Sequence, residues 1–395
     1  MVNSKTTIST LALSALTAAA PFSSNTNFSI SQVPVKIPAA HPAAIYAEAH
    51  ARLGVEVPHH VALAARCGWK DSVIALPYSH DIVYLTPIQF GADTLQVYLD
   101  TASGNTWAYT AETPSVGSHG VYNPQTGRLL SDYYWRSRSG QSIVFGGRVF
   151  LDKLKLNHLL YPEQAIQVVD FVQPIEVMLN PARAYDAILG LAFPEKNTVK
   201  PVKQPTFFEN IREMLQAPLF AAFLRHQAPG GYDFGWIDSS KYQGSLAWTP
   251  VHASLGLWNI SVSGYSIGDD VFSSTPFFAV IDTGTTLVLL EESIVQAYYQ
   301  RVPDSDYSIY EGGYIFPCTE TSVIPEFRLK IGHHIAIIPG KFIKFRATNS
   351  THCYGGIQVT PRRDRNYLGD LFLKGQYVIF YGNPKNPQIG IAAQA

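Results

Sequence analysis

Two stretches of this chain nearly repeat each other. The first is Leu95-Gln-Val-Tyr-Leu-Asp100-Thr-Ala-Ser-Gly-Asn-Thr-Trp107; the second is Phe278-Ala-Val-Ile-Asp282-Thr-Gly-Thr-Thr-Leu287. In each, an apolar run reads as a buried strand and ends in an aspartate followed by small and hydroxylated residues. A carboxylate at the end of a buried strand needs partners, and here the two are 182 residues apart. The surroundings repeat as well. Asp100 is followed, 86 residues on, by Asp186-Ala-Ile-Leu-Gly-Leu-Ala-Phe193, and Asp282, 86 residues on, by Leu368-Gly-Asp-Leu-Phe372. The same order of parts occurring twice predicts two similar lobes, each bringing one aspartate to a shared cleft.

The rest of the chain agrees with an all-β architecture. Only 15% of residues are charged, there are 22 Tyr and 21 Phe, and 29 Gly and 26 Pro punctuate short apolar runs. Strands are predicted over 81–86, 141–155, 165–172, 256–262 and 376–381. Helices are predicted over 43–52, 207–215, 218–225 and 292–301. A formal net charge of −1 gives no footprint for nucleic acid. Three cysteines lack any metal-binding spacing. Cys318 and Cys353 could close one C-terminal loop, and Cys67 lies far from both.

The N-terminus differs in character from the rest of the chain. Residues 1–19 have the layout of a secretory signal: Lys5, an apolar stretch from Ile8, then Ala18 and Ala19. That stretch is too short for a stable membrane anchor. Residues 20–70 are basic, with Lys36, Arg52, Arg66, Lys70 and four histidines against Glu48 and Glu56, and read as a detachable propeptide. The remaining boundaries expected are 71–255 for the N-terminal lobe with the inter-lobe region and 256–395 for the C-terminal lobe. Asn27, Asn259 and Asn349 begin Asn-x-Ser/Thr sequons, glycosylation acceptors on a secretory route. The destination expected is secreted, or vacuolar.

Two carboxyls held close together cannot both ionise, so one keeps a proton. Such a dyad can hold a water, take its proton and protonate a leaving nitrogen without metal or cofactor. Asp100 and Asp282 are the candidate catalytic pair. Thr101 and Thr283 can tie the loops together, Ser103 and Thr285 can donate to the carboxylates, and small residues at Ala102 and Gly284 let the backbone approach. Gly264-Tyr-Ser-Ile-Gly268 matches a nucleophile elbow, but a turn and a strand come after it instead of a helix. Ser266 is therefore read as a hairpin residue. The pairs His59-His60 and His333-His334 lack metal spacing.

With these residues in hand, the chain resembles the pepsin-like aspartic endopeptidases, most closely the fungal secreted branch around penicillopepsin and aspergillopepsin I. The resemblance rests on Val83-Tyr-Leu-Thr-Pro87, Asp186–Phe193, Tyr232-Asp-Phe-Gly235, Asp282–Leu287, Cys353-Tyr-Gly-Gly-Ile-Gln358 and Gly369–Gln376. It implies a bilobal pepsin-like fold, the Asp100–Asp282 dyad and a Cys318–Cys353 disulfide. It also implies a zymogen in which Arg52 stands where the family's propeptide places a lysine in the cleft. The partners implied are a polypeptide substrate and the chain's own propeptide, and the chain is expected to be a monomer.

Two departures surround the dyad. Ala102 replaces the family's glycine. It meets either a positive-φ backbone, at about 1–3 kcal/mol of strain, or a site with room. In the flap, the family's tyrosine falls on Ser139, followed by Gly140 and by Gln141 in place of aspartate. Ile143-Val-Phe-Gly-Gly-Arg148 is apolar where the family is small and polar. Tyr133 and Tyr134 belong on the outgoing strand. A preserved dyad under an altered lid predicts weak or re-aimed peptidase activity. The alternatives are a non-proteolytic enzyme using the Asp pair on a small molecule in specialised metabolism, or a binding protein with a residual cleft.

Overall fold

The computed structural model describes residues 26–35, 41–66, 83–139, 142–173, 183–226, 228–318 and 322–395. The expected signal segment, Cys67, Gly140 and Gln141 lie outside these residues.

The internal repeat corresponds to one construction made twice. In the N-terminal half, the strand Asp93–Asp100 lies parallel to Ala187–Gly190, with Asp100 opposite Gly190. Trp107–Ala108 runs antiparallel to that inner strand and parallel to Leu159–Val168. In the C-terminal half, Phe277–Ile281 lies parallel to Asn366–Leu368, with Ile281 opposite Leu368. Val288–Leu290 runs antiparallel to the latter and parallel to Ile357–Val359. The inner strands Ala187–Gly190 and Asn366–Leu368 are buried at every residue, as parallel strands covered on both faces must be. Each aspartate is thus delivered by the end of a strand clamped inside its own lobe.

A sheet of 14 strands unites the N-terminal lobe with the strands between the lobes. Its inter-lobe portion holds Leu219–Arg225, Ala228–Phe234, Tyr242–Pro250, Gln376–Tyr381 and Gln388–Gln394. Phe28–Val35 joins the two portions: its first five residues pair with the strand Ala228–Phe234 and its last three with Val83–Phe90. Three smaller sheets of five, three and four strands form the C-terminal lobe. The fold is all-β and bilobal, as the sequence predicts.

Residues 218–225 are a correction. They form the strand Leu219–Arg225 rather than a helix, pairing with Ala228–Phe234 and Gln376–Tyr381. Leu-Phe-Ala-Ala-Phe-Leu-Arg is made largely of good helix formers, but Phe220, Ala221 and Ala222 are wholly buried between partner strands, and that context overrides propensity. The expected helix 207–215 is split into an α-helix, Phe207–Ile211, and a 3-10 turn, Arg212–Met214. Ser266 lies in the strand Gly264–Ile267 opposite Arg328 of the distant strand Phe327–Ile331, a sheet residue and not the tip of a nucleophile elbow. Cys318 and Cys353 form a disulfide with Cα atoms 5.5 Å apart. Among the sequons, Asn27 is exposed and Asn349 partly so. Asn259 is buried in the strand Asn259–Val262. It is the least accessible of the three acceptors expected.

Candidate active site

The two aspartate loops meet across the lobe boundary in a reciprocal pattern. The Thr101 amide donates to the Thr283 hydroxyl at 3.2 Å, and the Thr283 amide to the Thr101 hydroxyl at 3.0 Å. Each hydroxyl then donates across the boundary, Thr101 to the Ile281 carbonyl (2.8 Å) and Thr283 to the Leu99 carbonyl (2.9 Å). Four buried bonds therefore fix the relative position of the strands that end in Asp100 and Asp282. Within each loop, the amide two residues on caps the carboxylate: Ala102 N–H to Asp100 Oδ1 at 2.9 Å, and Gly284 N–H to Asp282 Oδ1 at 2.8 Å.

The third position differs. The Thr285 hydroxyl donates to Asp282 Oδ2 at 2.6 Å. Ser103 does not reach Asp100; its hydroxyl donates to the Asn105 carbonyl and accepts from the Asn105 amide, which corrects the expected symmetry. The loop turns back at that point, with Ala192 N–H bonded to the Ser103 carbonyl. Ala102 is not among the described non-glycine residues with positive φ, so its methyl adds no backbone strain. Gly284 is different. A Cβ there would lie 1.9 Å from Arg52 Nη2 and 2.6 Å from Asp100 Cγ.

Arg52 closes the site. The helix Ala43–Arg52 starts after Pro42 and is rich in alanine, the strongest helix former. Glu48 and Arg52, four residues apart, share one face, and that face enters the cleft. Arg52 Nη2 donates to Asp100 Oδ2 at 2.6 Å and lies 3.8 Å from Asp282 Oδ1. Its side chain is only 8% exposed. Burial opposes its charge, but Asp100 and Asp282 outweigh burial and hold its pKa well above the ordinary value. Asp282 is pushed up to about 6, chiefly by burial. The Arg52 charge pulls it down, Asp100 pushes it up, and the bonds from Thr285 and Gly284 pull it down again.

Over the cleft lies the hairpin of Arg128–Ser139 and Ser142–Leu156, with the Ser139 backbone opposite Ser142 at its tip. Tyr133 and Tyr134 sit on the outgoing strand, with Tyr134 exposed and its backbone bonded to Lys200. The apolar run of the lid points inward at Val144 and Phe145, both buried. Phe145 stacks on Trp107 with centroids 5.6 Å apart. Trp107 also packs against Trp135 and Tyr185, so it is a packing residue beneath the catalytic loop. A cavity of about 360 Å³ runs under the hairpin from Asp100 past Trp107 and Phe145 to Arg183 and Tyr185.

Arg183 and Tyr185 are site residues that sequence reasoning missed. They immediately precede the repeat segment that begins at Asp186. A charged residue at the border of an apolar run was the available signal. Asp186 itself accepts from the amides of Gln96 and Gly120 and anchors the start of that segment.

A profile of the eukaryotic aspartyl protease family matches residues 83–394. Over its whole length the chain is 46% identical to penicillopepsin-1 of Talaromyces stipitatus, with both proteins fully covered. It is 39% identical to penicillopepsin-3 of Penicillium janthinellum over 97% of each chain. It is 38% identical to aspergillopepsin-1 of Aspergillus oryzae, again with both fully covered.

Proposed function

Because the chain belongs to the eukaryotic aspartyl protease family, whose members hydrolyse peptide bonds, we propose that it is made as an acid-activated precursor of an aspartic endopeptidase whose working pair is Asp100 and Asp282. The observation that carries this reading is Arg52 set between the two carboxylates. A guanidinium there neutralises the pair and occupies the place of a substrate bond. In the processed enzyme the same two groups would hold a water. Asp282, whose pKa is raised, keeps the proton and delivers it to the substrate. Asp100, capped by the Ala102 amide, takes the proton from water as its oxygen adds to the carbonyl carbon. Collapse of the tetrahedral adduct breaks the C–N bond: the leaving nitrogen takes the proton that Asp100 had accepted from water, and an adduct hydroxyl returns its proton to Asp282 as the carboxyl product forms.

Acid release has a basis in the same helix. His50 is buried, its Nδ1 at 2.9 Å from the Tyr46 carbonyl. Its pKa is lowered from 6.5 to about 4 by burial, with His60 lowering it further and the Tyr46 carbonyl opposing. A histidine depressed in the folded state contributes stability above pH 6.5, and that contribution is lost as pH falls towards 4. Protonation of Asp282, whose pKa is raised to about 6, weakens its attraction for Arg52 over the same descent. Secretion, removal of residues 1–19 and 20–70, and glycosylation at Asn27 and Asn349 belong to this reading. The altered lid, with serine at position 139, belongs to it as a source of re-aimed specificity.

The test is to express the full-length precursor, acidify it, and measure pepstatin-sensitive cleavage of a peptide library with Asp282→Asn as control. Loss of the N-terminal segment followed by cleavage is expected. A folded, processed protein that cuts no peptide would sink the proposal.

A further inference from the structure

Arg183 is a buried cation with a carboxylate on it. Its side chain is 2% exposed, and Nη2 meets the Glu48 carboxylate at 2.8 Å while Nη1 donates to the Tyr185 hydroxyl at 3.0 Å. The Tyr185 hydroxyl donates in turn to Glu48 Oε1 at 2.9 Å. The guanidinium lies over the Phe145 ring, 4.8 Å from its centroid. Its Nε is buried and has no hydrogen-bond partner among the described residues. Glu48 comes from the same helix face as Arg52, whereas Arg183, Tyr185 and Phe145 belong to the body of the lobe. When residues before 71 leave, the carboxylate leaves with them, and the guanidinium faces the opened cleft still held by the Tyr185 hydroxyl and the Phe145 ring. A pre-positioned cation of this kind favours a ligand that returns a carboxylate to the same two contacts.

The distance from the dyad sets where that partner sits. Four residues of helix separate Glu48 from Arg52, about 6 Å along the axis. An extended peptide covers about 3.3 Å per residue, so the equivalent side chain lies about two residues from the bond that is cut. The neighbouring lining adds Lys196 and Arg362, which gives the cleft a positive field that concentrates anionic ligands.

We propose that Arg183 and Tyr185 form an acid-selecting subsite, so that the processed enzyme prefers polypeptides carrying glutamate or aspartate about two residues from the scissile bond, with Glu48 holding that subsite in the precursor. This rests on the peptidase reading above. Glutamate fits the geometry best, since Glu48 already makes both contacts. Phe145 of the altered lid supplies the wall against which the guanidinium is held, which ties the apolar flap to the change of specificity.

The test uses the full-length precursor, acidified to release its N-terminal segment and assayed at about pH 5.5, where a peptide glutamate is ionised. Peptides are varied at each of three residues on either side of the cut. The ratio of kcat/KM for glutamate over glutamine at one position is expected to be on the order of 10–100. Arg183→Gln brings that ratio to about one, Arg183→Lys retains part of it, and Arg183→Glu turns the preference towards lysine. Thermal melting of each variant establishes that it is folded. An active wild-type enzyme with a ratio near one, or a ratio that survives Arg183→Gln, overturns the proposal. Absence of any cleavage counts against the peptidase reading instead. In that case binding of labelled, non-cleavable reduced-amide peptides to the same acidified protein decides the subsite: tighter binding of the glutamate peptide, lost in Arg183→Gln, supports it, and equal binding overturns it.

Discussion

The Asp100 loop and the Asp282 loop carry nearly the same residues, yet their carboxylates are completed from different sources. Asp282 is finished within its own lobe, by the Gly284 amide and the Thr285 hydroxyl. Asp100 has the matching amide from Ala102, but Ser103 turns to Asn105, and the remaining oxygen is taken by Arg52 from the N-terminal helix. One half of the pair is therefore set within its own lobe, and the other depends on the N-terminal helix, a partner it would exchange under the proposed processing. Similar sequence gives similar backbone; which hydroxyl reaches the carboxylate depends on how the chain leaves the loop.

The comparison makes its strongest demand on the two carboxylates themselves. Asp100→Asn and Asp282→Asn should each reduce kcat/KM by about 10³-fold or more, measured on a single peptide after acid processing. If either variant keeps substantial activity, the two loops are not halves of one site. Next in size is Arg52→Gln in the precursor. Removing one member of a buried ion pair costs about 3–5 kcal/mol, so the N-terminal segment should be lost or become protease-sensitive at neutral pH. Unchanged resistance would mean that Asp100 does not depend on that helix.

Thr285→Val and Ser103→Ala test the third position directly. Losing a hydrogen bond to a charged group costs about 1.5–3 kcal/mol. Because the Thr285 bond lowers the Asp282 pKa, Thr285→Val should raise it and move the alkaline limb of the kcat/KM profile up by about one unit. Ser103→Ala should leave that limb in place. Equal shifts in both would restore the symmetry that the hydrogen bonds deny. Smallest is Ala102→Gly, expected to alter stability by no more than about 1 kcal/mol and activity by little, since Ala102 has an ordinary φ. The reverse change at the other loop, Gly284→Ala, would force its methyl into Arg52 and Asp100 and should be far more damaging.

How legible all this was in the sequence depended on range. The aspartate loops and the two-fold order of parts are local patterns whose spacing carries their meaning, whereas the disulfide pairing and the place of Arg52 came from the resemblance to the family. The turn of Ser103 away from Asp100 is set by a contact that no run of residues announces. Residues 218–225 read as a helix because their composition is helical, and only the strands on either side make them extended. The Asn259 sequon is a surface signal placed by topology in a buried strand. Arg183 and Glu48 are each unremarkable alone. The basic composition of 20–70 with only two acids could have singled out Glu48, but its partner lies 135 residues away, beyond any local pattern.

The strand Phe28–Val35 carries a consequence of its own. Among the described residues it is the one element joining Ala228–Phe234 to Val83–Phe90, so its removal under the proposed processing would divide a continuous sheet into two. Each new border presents a row of unpaired N–H and C=O groups, a template for any extended chain that arrives. Under the proposed processing, two gaps open at once, one in the cleft and one in the scaffold. Under the same proposal, a scaffold gap left unfilled favours edge-to-edge pairing between processed molecules.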